Sequence, residues 1–416
     1  MPQITTERLA SGATLLIEPM QGVRSAAVSI AVPAGLSTEP GDRLGAAGVA
    51  SEVLMRGAAD MDSRQLADAF DHAGCTRSIS AGTRSMVFRG TTIGDRLGEA
   101  IELFAKTILQ PRFTAEALDP ARSLSLQALD SLSDDPRERA SIETRRRHMP
   151  EPYNRSSYGD AAGIEAITIQ DLQAWWRGRA VPGGTIIGVA GAVDPDGVID
   201  QLNAAFEGWR GSVEDVEPIG EAERGAGHID DDSNQVQILA MLDLPNERDE
   251  HAAIREKLAG SVLSGGMSGR LFTEVREKRG LCYAVSAGYR GDDRFGALSA
   301  YVGTTPERAQ ESLDVLTAEL RRIRTPEGVV TADEFERART GMRANVVFHG
   351  ESTAARASAL VADYQKLGRA RTLDEMTAAI DAVTLHSLNE HLAETPLGGA
   401  TLQTLGPKEL TPPAGY

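Results

Sequence analysis

The chain has 416 residues, too many for one ordinary core and enough for two domains of about 200 residues each. A hydrophobic share of 41% and a charged share of 25% fit a globular chain, and no run of about 18 apolar residues offers a membrane span. The net charge of −17 argues against a nucleic-acid partner, which would want a basic face, and suits cationic ligands.

Residues 14–17 and 26–32 are apolar and β-branched and predict the first strands. Residues 46–55 and 63–73 predict helices, and 86–89 a short strand. Leu97, Ile101, Phe104 and Ile108 fall on one face of an amphipathic helix that Pro111 stops. A long helical pattern follows over 118–133, ended by Asp134, Asp135 and Pro136. Residues 168–177 predict a helix with Thr168 at its N-cap, 184–189 a strand, and 194–206 a helix. The stretch 211–227 is acidic, lacks periodicity and carries glycine at both ends, so it is expected to be a surface linker. The pattern then replays itself: a strand at 236–242, a helix at 252–263, a glycine-rich bend at 265–269, a helix at 268–278, and strands at 281–287 and 297–302. Leu313, Leu316, Leu320 and Ile323 again share a helical face.

The replay is literal in places. IEAITIQDLQAWWRGRAVPGGTIIGVAG at 164–191 aligns without a gap on IDAVTLHSLNEHLAETPLGGATLQTLGP at 380–407, an offset of 216 residues. Gly90, Thr91 and Thr92 echo Gly303, Thr304 and Thr305, and residues 50–57 echo 259–266 more weakly. A period near half the chain is too long for a solenoid and means two copies of one domain. Strands and helices come in runs, which points to an α+β fold with a largely antiparallel sheet in each copy. The expected division is an N-terminal domain at 1–210, the linker at 211–227 and a homologous domain at 228–416.

Cys75 and Cys282 lie in core-strand contexts without CxxC spacing and are expected to be reduced, buried thiols. The N-terminus lacks a basic segment followed by an apolar core, so a cytoplasmic location is expected, or a periplasmic one if a leader has been trimmed. His386 and His391, flanking Glu390, are five residues apart; an α-helix turns them about 140° from each other, so they cannot chelate one ion.

The segment LSGGMSGRLFTEVREKRGLCYAVSA at 263–287 resembles the C-terminal domains of the pitrilysin/insulinase family of zinc peptidases, most closely its mitochondrial-processing-peptidase-like branch. The resemblance implies two homologous α+β domains per chain, forming half of a clam-shell that two chains close around a peptide chamber. Active members carry His-x-x-Glu-His on the first long helix and a distal Glu on a later one. Two histidines four apart hold Zn²⁺ on one helical face, and the Glu beside them is the general base. At the matching positions this chain has Gly48 and Glu52 for the histidines, Ser51 for the base and Ala128 near the distal Glu. No metal site is therefore expected in this chain, and zinc is expected in a partner subunit.

Active members also place an Arg and a Tyr, seven residues apart, opposite the zinc helix. Arg276 and Tyr283 keep that spacing. Alone, Arg276 would be a solvated helix end and Tyr283 a strand-core aromatic. The resemblance implies instead that Arg276 binds substrate backbone and that the Tyr283 hydroxyl stabilises the oxyanion of peptide hydrolysis. Gly265 and Gly266 resemble a shortened form of the substrate-touching glycine-rich loop of non-catalytic processing-peptidase subunits, or are a tight turn between helices. The expectation is a non-catalytic subunit that forms a heterodimer with a homologous chain bearing His-x-x-Glu-His and acts on unfolded peptides. The alternative is an inactive family member serving as a structural or binding scaffold.

Overall fold

The computed structural model describes residues 4–413, so the first three and last three residues of the expected spans 1–210 and 228–416 lie outside the described residues. The first half runs β1 (Thr5–Arg8), β2 (Thr14–Pro19), β3 (Ser25–Val32), α1 (Ala46–Leu54), β4 (Gly57–Ala58), β5 (Met61–Asp62), α2 (Ser63–His72), β6 (Thr76–Ala81) and β7 (Met86–Ile93). It continues through α3 (Leu97–Leu109), α4 (Ala115–Asp130), α5 (Pro136–His148), α6 (Ala161–Ala166), α7 (Ile169–Arg179), β8 (Ile186–Gly191) and α8 (Pro195–Ala205). The second half runs β9 (Gly225–Asp230), β10 (Val236–Leu244), α9 (Glu250–Ser264), β11 (Cys282–Gly291), β12 (Gly296–Thr304) and α10 (Ala309–Arg322). It closes with α11 (Ala332–Gly350), α12 (Thr353–Leu367), α13 (Leu373–Asp381), α14 (Leu385–Glu394) and β13 (Ala400–Gly406).

The fold is α+β, and its two main sheets repeat one topology. The first has the order β1-β2-β8-β3-β7-β6, and the second, read from its far edge, β9-β13-β10-β12-β11. In each, the first-named strand of the shared core pairs in parallel with the last strand of its half, β2 with β8 and β9 with β13; the other pairings are antiparallel. The capping chemistry repeats too. Thr168 and Thr384 each cap a helix, α7 and α14, and each closes a reciprocal box with the residue three positions on, Asp171 and Ser387.

The repeat slips by one residue inside the strands. Thr92 Oγ1 donates to Ala73 O at 2.7 Å, and Thr304, not Thr305, makes the equivalent bond to Leu281 O at 2.5 Å. Gly188 lies against α12, where a Cβ would overlap the Ala357 carbonyl oxygen. Its gapless counterpart Thr404 bonds His228 at 2.8 Å, while the neighbouring Gln403 takes the Arg147 guanidinium of α5 at 3.2 Å. Strand faces alternate, so a one-residue slip exchanges them; the sequence echo is in register at the helix caps and out of register in the sheets.

The compact units do not follow the continuous division at 1–210 and 228–416. The first comprises residues 1–131, 151–219 and 349–372, and the second 132–150, 220–348 and 373–416. Each sheet thus recruits one helix from the other half of the sequence. The reason is that a sheet has two faces to cover. In the first unit, Leu15, Ile17, Val28, Ile30, Ile187 and Val189 form one core with α1, α2 and α3. On the opposite face Leu16, Ala31 and Ile186 pack on Leu360 and Val361 of α12, and Ala27 and Ala190 pack on Ala357. Arg356 of the same helix is fully buried, with Nε 2.7 Å from Glu18 Oε2 on β2 and an Nη atom 3.0 Å from Arg371 O.

In the second unit the equivalent cover is α5, and its contacts are polar. Arg147 donates to Gln403, to Arg224 O at 2.7 Å and to Ala226 O at 3.1 Å. His148 sits 3.0 Å from Thr401 Oγ1 and 3.3 Å from Asp243 Oδ1. The Arg147 guanidinium also occupies the space a Cβ at residue 227 would need, which is why Gly227 stands there. This corrects the expected linker: Gly225–Asp230 is strand β9, shaped by its parallel ladder with β13 rather than by local propensity. The preceding acidic stretch is surface loop, pinned where Tyr153 donates to Val216 O at 2.6 Å.

Both cysteines are free and buried, and among the described residues no helix is long and apolar enough to cross a membrane. Breaking a buried ion pair strands a charge, so Arg356→Ala is expected to cost about 3–5 kcal/mol in urea unfolding, while Glu18→Leu/Arg356→Leu costs less than half as much. Equal losses in the two variants would show that packing, not charge, seats α12.

Candidate functional site

Helix α1 starts at Gly45, whose φ of +102° lies in the left-handed region that glycine tolerates. Its apolar face, Ala46, Ala47, Val49, Ala50, Val53 and Leu54, is buried. That leaves Gly48, Ser51 and Glu52 on the opposite, half-exposed face. Gly48 and Glu52 line a cavity of about 200 Å³ from α1, with Ser125 and Ala128 from α4 and Ser157 and Tyr158 from the loop beyond α5. The structure thus brings the positions matched to both histidines and to the distal Glu around one cavity.

The donor set there does not fit zinc. Glu52 is the one carboxylate, and Arg56 stands 3.9 Å from it. Ser51 Oγ donates to Gly48 O at 2.7 Å, and Gly48 and Ala128 offer no side-chain donor atom. Among the described residues no group of three or more His, Cys, Asp or Glu is arranged to hold a metal ion. Four-coordinate zinc takes at least three protein ligands, and this cavity offers one.

Sequence reasoning missed a carboxyl at the head of the same helix. Glu39 is 4% exposed, and its Oε1 accepts from Ala47 N at 2.8 Å. Its Oε2 has no hydrogen-bond partner. Burial pushes its pKa up to about 7, against the pull of the Ala47 and Gly45 amides and the Arg155 charge, with Asp160 adding to the rise. No local signal marks it, since Glu39 precedes the helix by several residues and its burial is tertiary.

In the second unit α9 ends at Gly265, whose N–H donates to Ser261 O at 2.6 Å. Gly266 turns the chain with φ +118°, open space lies where its Cβ would be, and Met267 beside it is 78% exposed. The expected helix over 268–278 is a π-helical turn at Phe272–Glu277. Val275 is buried, and Glu274 pairs with Lys278 and Arg279, each at 2.7 Å. Those ion pairs hold the Glu274 carboxyl below its usual range. Arg276 is not part of that network: its guanidinium lies 4.8 Å from the Phe272 ring centre. Gly280 stops the turn in the left-handed region, with Leu281 N donating back to Val275 O at 2.9 Å.

Tyr283 is neither strand core nor part of the ladder. Cys282 pairs with Thr304 and Ala284 with Gly303, so Tyr283 is the extra residue of a β-bulge on edge strand β11. Bulges re-aim a side chain, and this phenol is 73% exposed. It makes no hydrogen bond among the described residues. Arg276 and Tyr283 therefore both stand exposed on the corner that joins the π-turn to β11, with Cys282 buried between them in sequence. Burial raises the Cys282 thiol and the Arg276 charge draws it back.

The histidines of α14 part company as their spacing requires. His386 is exposed, while His391 Nε2 meets Glu256 Oε1 at 2.8 Å, with Arg324 at 2.6 Å from the other oxygen. Burial alone would raise the Glu256 carboxyl, but His391 and Arg324 hold it below the usual range.

Comparison with known proteins shows the family and the fold. The family model described as insulinase (peptidase family M16) matches residues 15–154, and the one described as peptidase M16 inactive domain matches 166–342. An uncharacterized zinc protease of Mycobacterium tuberculosis is 27% identical over 99% of this chain and 95% of its own length. An uncharacterized zinc protease of Streptomyces coelicolor is 25% identical over 90% of this chain and 83% of its own. Among solved structures, a peptidase M16 inactive domain from Pseudomonas fluorescens superposes with a TM-score of 0.87 at 22% identity, over 99% of this chain and all of the other. A protease from Helicobacter pylori gives 0.81 at 15% identity over 97% of this chain. At such identities the structures speak for the fold alone.

The Glu39 shift gives a pH dependence with a definite sign. A carboxyl whose folded pKa lies above its ordinary 4.5 contributes stability that is full below that value and is lost as pH rises through about 7. Glu39→Gln cannot ionise, so its stability relative to the wild type is expected to grow by about 3 kcal/mol between about pH 4.5 and pH 8. Urea midpoints that run parallel across that range would refute the assignment.

Proposed function

This chain belongs to the M16, insulinase-like, peptidase family, and on that premise we propose that it is a non-catalytic subunit that completes the active site of a zinc-bearing homologue. The observation that carries the reading is the split between its two candidate sites. The α1 cavity has one carboxylate where the family's chemistry needs a full ligand set. The Arg276–Tyr283 corner keeps its functional groups exposed and, for the phenol, unpartnered.

In this reading the partner carries His-x-x-Glu-His and supplies the metal and the attacking water. This chain supplies positioning and charge stabilisation to a flexible peptide. The Arg276 fork donates to a substrate backbone carbonyl, and its stacking on Phe272 limits the orientations the guanidinium must give up on binding. The Tyr283 hydroxyl donates to the scissile carbonyl oxygen as that oxygen gains negative charge, an interaction that strengthens toward the transition state. The exposed turn at Gly265 and Gly266 lets substrate backbone approach closely, since no Cβ stands in the way.

The purified chain alone is expected to retain no stoichiometric zinc and to leave peptides uncut; one tightly held zinc per chain would overturn the reading. In the assembled pair, Tyr283→Phe is expected to lower kcat about ten- to hundredfold with KM changed by less than about twofold. Arg276→Ala is expected to act mainly on KM. Wild-type kcat in Tyr283→Phe would remove the phenol from the chemistry.

A further inference from the structure

The first unit holds a second concave site, far in sequence from α1 and built on different elements. It has a volume of about 430 Å³ and lies where the end of α3 and the Pro111 loop meet the end of α7 and the turn after α8. We propose that it binds a small, flat aromatic acid, its ring on the indole floor and its carboxylate between Arg177 and Arg210.

Three observations carry this. The first is the floor. Trp176 and Trp209 line the pocket yet are only 4% and 8% exposed. Their indole N–H groups are already committed, to Ile108 O and Ala180 O, each at 2.9 Å. Phe206 stacks on Trp209 at 4.9 Å between ring centres. What the floor offers a ligand is therefore aromatic surface without donors, extended by Phe113 and Val181. Such a surface selects flat apolar groups.

The second is the mouth. Arg177 and Arg210 line it, and neither makes a hydrogen bond or ion pair among the described residues. The chain has 60 acidic residues against 43 Lys and Arg, and several of its exposed arginines are claimed by neighbours, as Arg96 is by Glu99 at 2.5 Å and Arg146 by Glu143 at 2.7 Å. No acidic residue lines this pocket. A guanidinium fork matches a carboxylate in two parallel hydrogen bonds, so a carboxylate answers what the mouth lacks.

The third is size. A cavity of about 430 Å³ falls within the ~300–1,000 Å³ range of small-molecule sites, and Gln110 and Gln173 join the two arginines as its polar lining. Neither Arg276 nor Tyr283 lines this pocket, and the inference does not depend on the role proposed for them.

The test is calorimetric titration of the full-length chain with 2-naphthoate, with 2-naphthalenemethanol as its uncharged counterpart. One site per chain is expected, with the alcohol weaker by about tenfold or more, the loss of a charge-assisted contact. Arg177→Ala/Arg210→Ala, confined to exposed side chains, is expected to weaken 2-naphthoate by about the same factor and to leave the alcohol unchanged. Raising ionic strength from about 0.01 M to about 0.15 M, which shortens the screening length from ~30 Å to ~8 Å, is expected to weaken the acid alone. Failure of 2-naphthoate to bind, equal affinity for acid and alcohol, or full affinity in the double variant would each overturn the proposal.

Discussion

The pairing of Arg356 with Glu18, both nearly sealed from solvent, is the interaction on which the rest of the first unit turns. Helix α12 has little apolar bulk where it meets the sheet centre. Ala357 rests on Ala27 and Ala190, and Gly188 admits the helix backbone itself. Small residues bring backbones close but bury little area, so orientation must come from elsewhere. A buried guanidinium has few tolerable positions, because any arrangement that leaves it or Glu18 unpaired strands a charge in the interior. The pair therefore acts as a positional lock more than as a source of net stability. The second unit meets the same geometric demand with neutral and charged hydrogen bonds from Arg147 and His148 of α5 to Gln403 and Thr401. One topology is thus closed by two different chemistries.

Much of this was legible in the sequence, and the failures share a physical cause. The amphipathic faces of α3 and α10 and the Thr168 cap are local features, and each is where periodicity and capping rules put it. Strand register is not local. Gly90 and Gly303 look equivalent as letters, but hydrogen bonding equates Thr92 with Thr304 and turns the two glycines to opposite faces. Nor does anything in α5 or α12 declare which sheet it will cover, since the decision rests with partners distant in the chain, as for Glu18 and Arg356, 338 residues apart. Strand β9 was hidden for the same reason: Gly-Ala-Gly-His has poor β-propensity, and the neighbouring strand and Arg147 impose its conformation.

The two candidate sites show the same division. That α1 lacks a zinc-binding set is a statement about residue types, so it could be read directly from Gly48, Ser51, Glu52 and Ala128. That these positions still frame a cavity, and that a carboxyl with a pKa raised to about 7 caps the helix beside it, depend on packing. The spacing of Arg276 and Tyr283 was equally plain. Its three-dimensional meaning depends on two irregularities, a π-helical turn and a β-bulge, that no sequence rule used above anticipates. Irregular backbone is often where a scaffold aims side chains outward.

The late arrival of α12 also sets a clock. The last strand of the first sheet ends at Gly191, but the helix that covers its second face ends only at Leu367. At about 5–20 residues per second, a ribosome needs roughly ten to thirty-five seconds to make the intervening chain. For that interval Leu16, Ala31 and Ile186 have no cover of their own, and Glu18 has no counter-ion. The nascent N-terminal half is then a natural client for whatever binds bare apolar sheet surface in the cell, and its maturation must follow, rather than precede, completion of most of the chain.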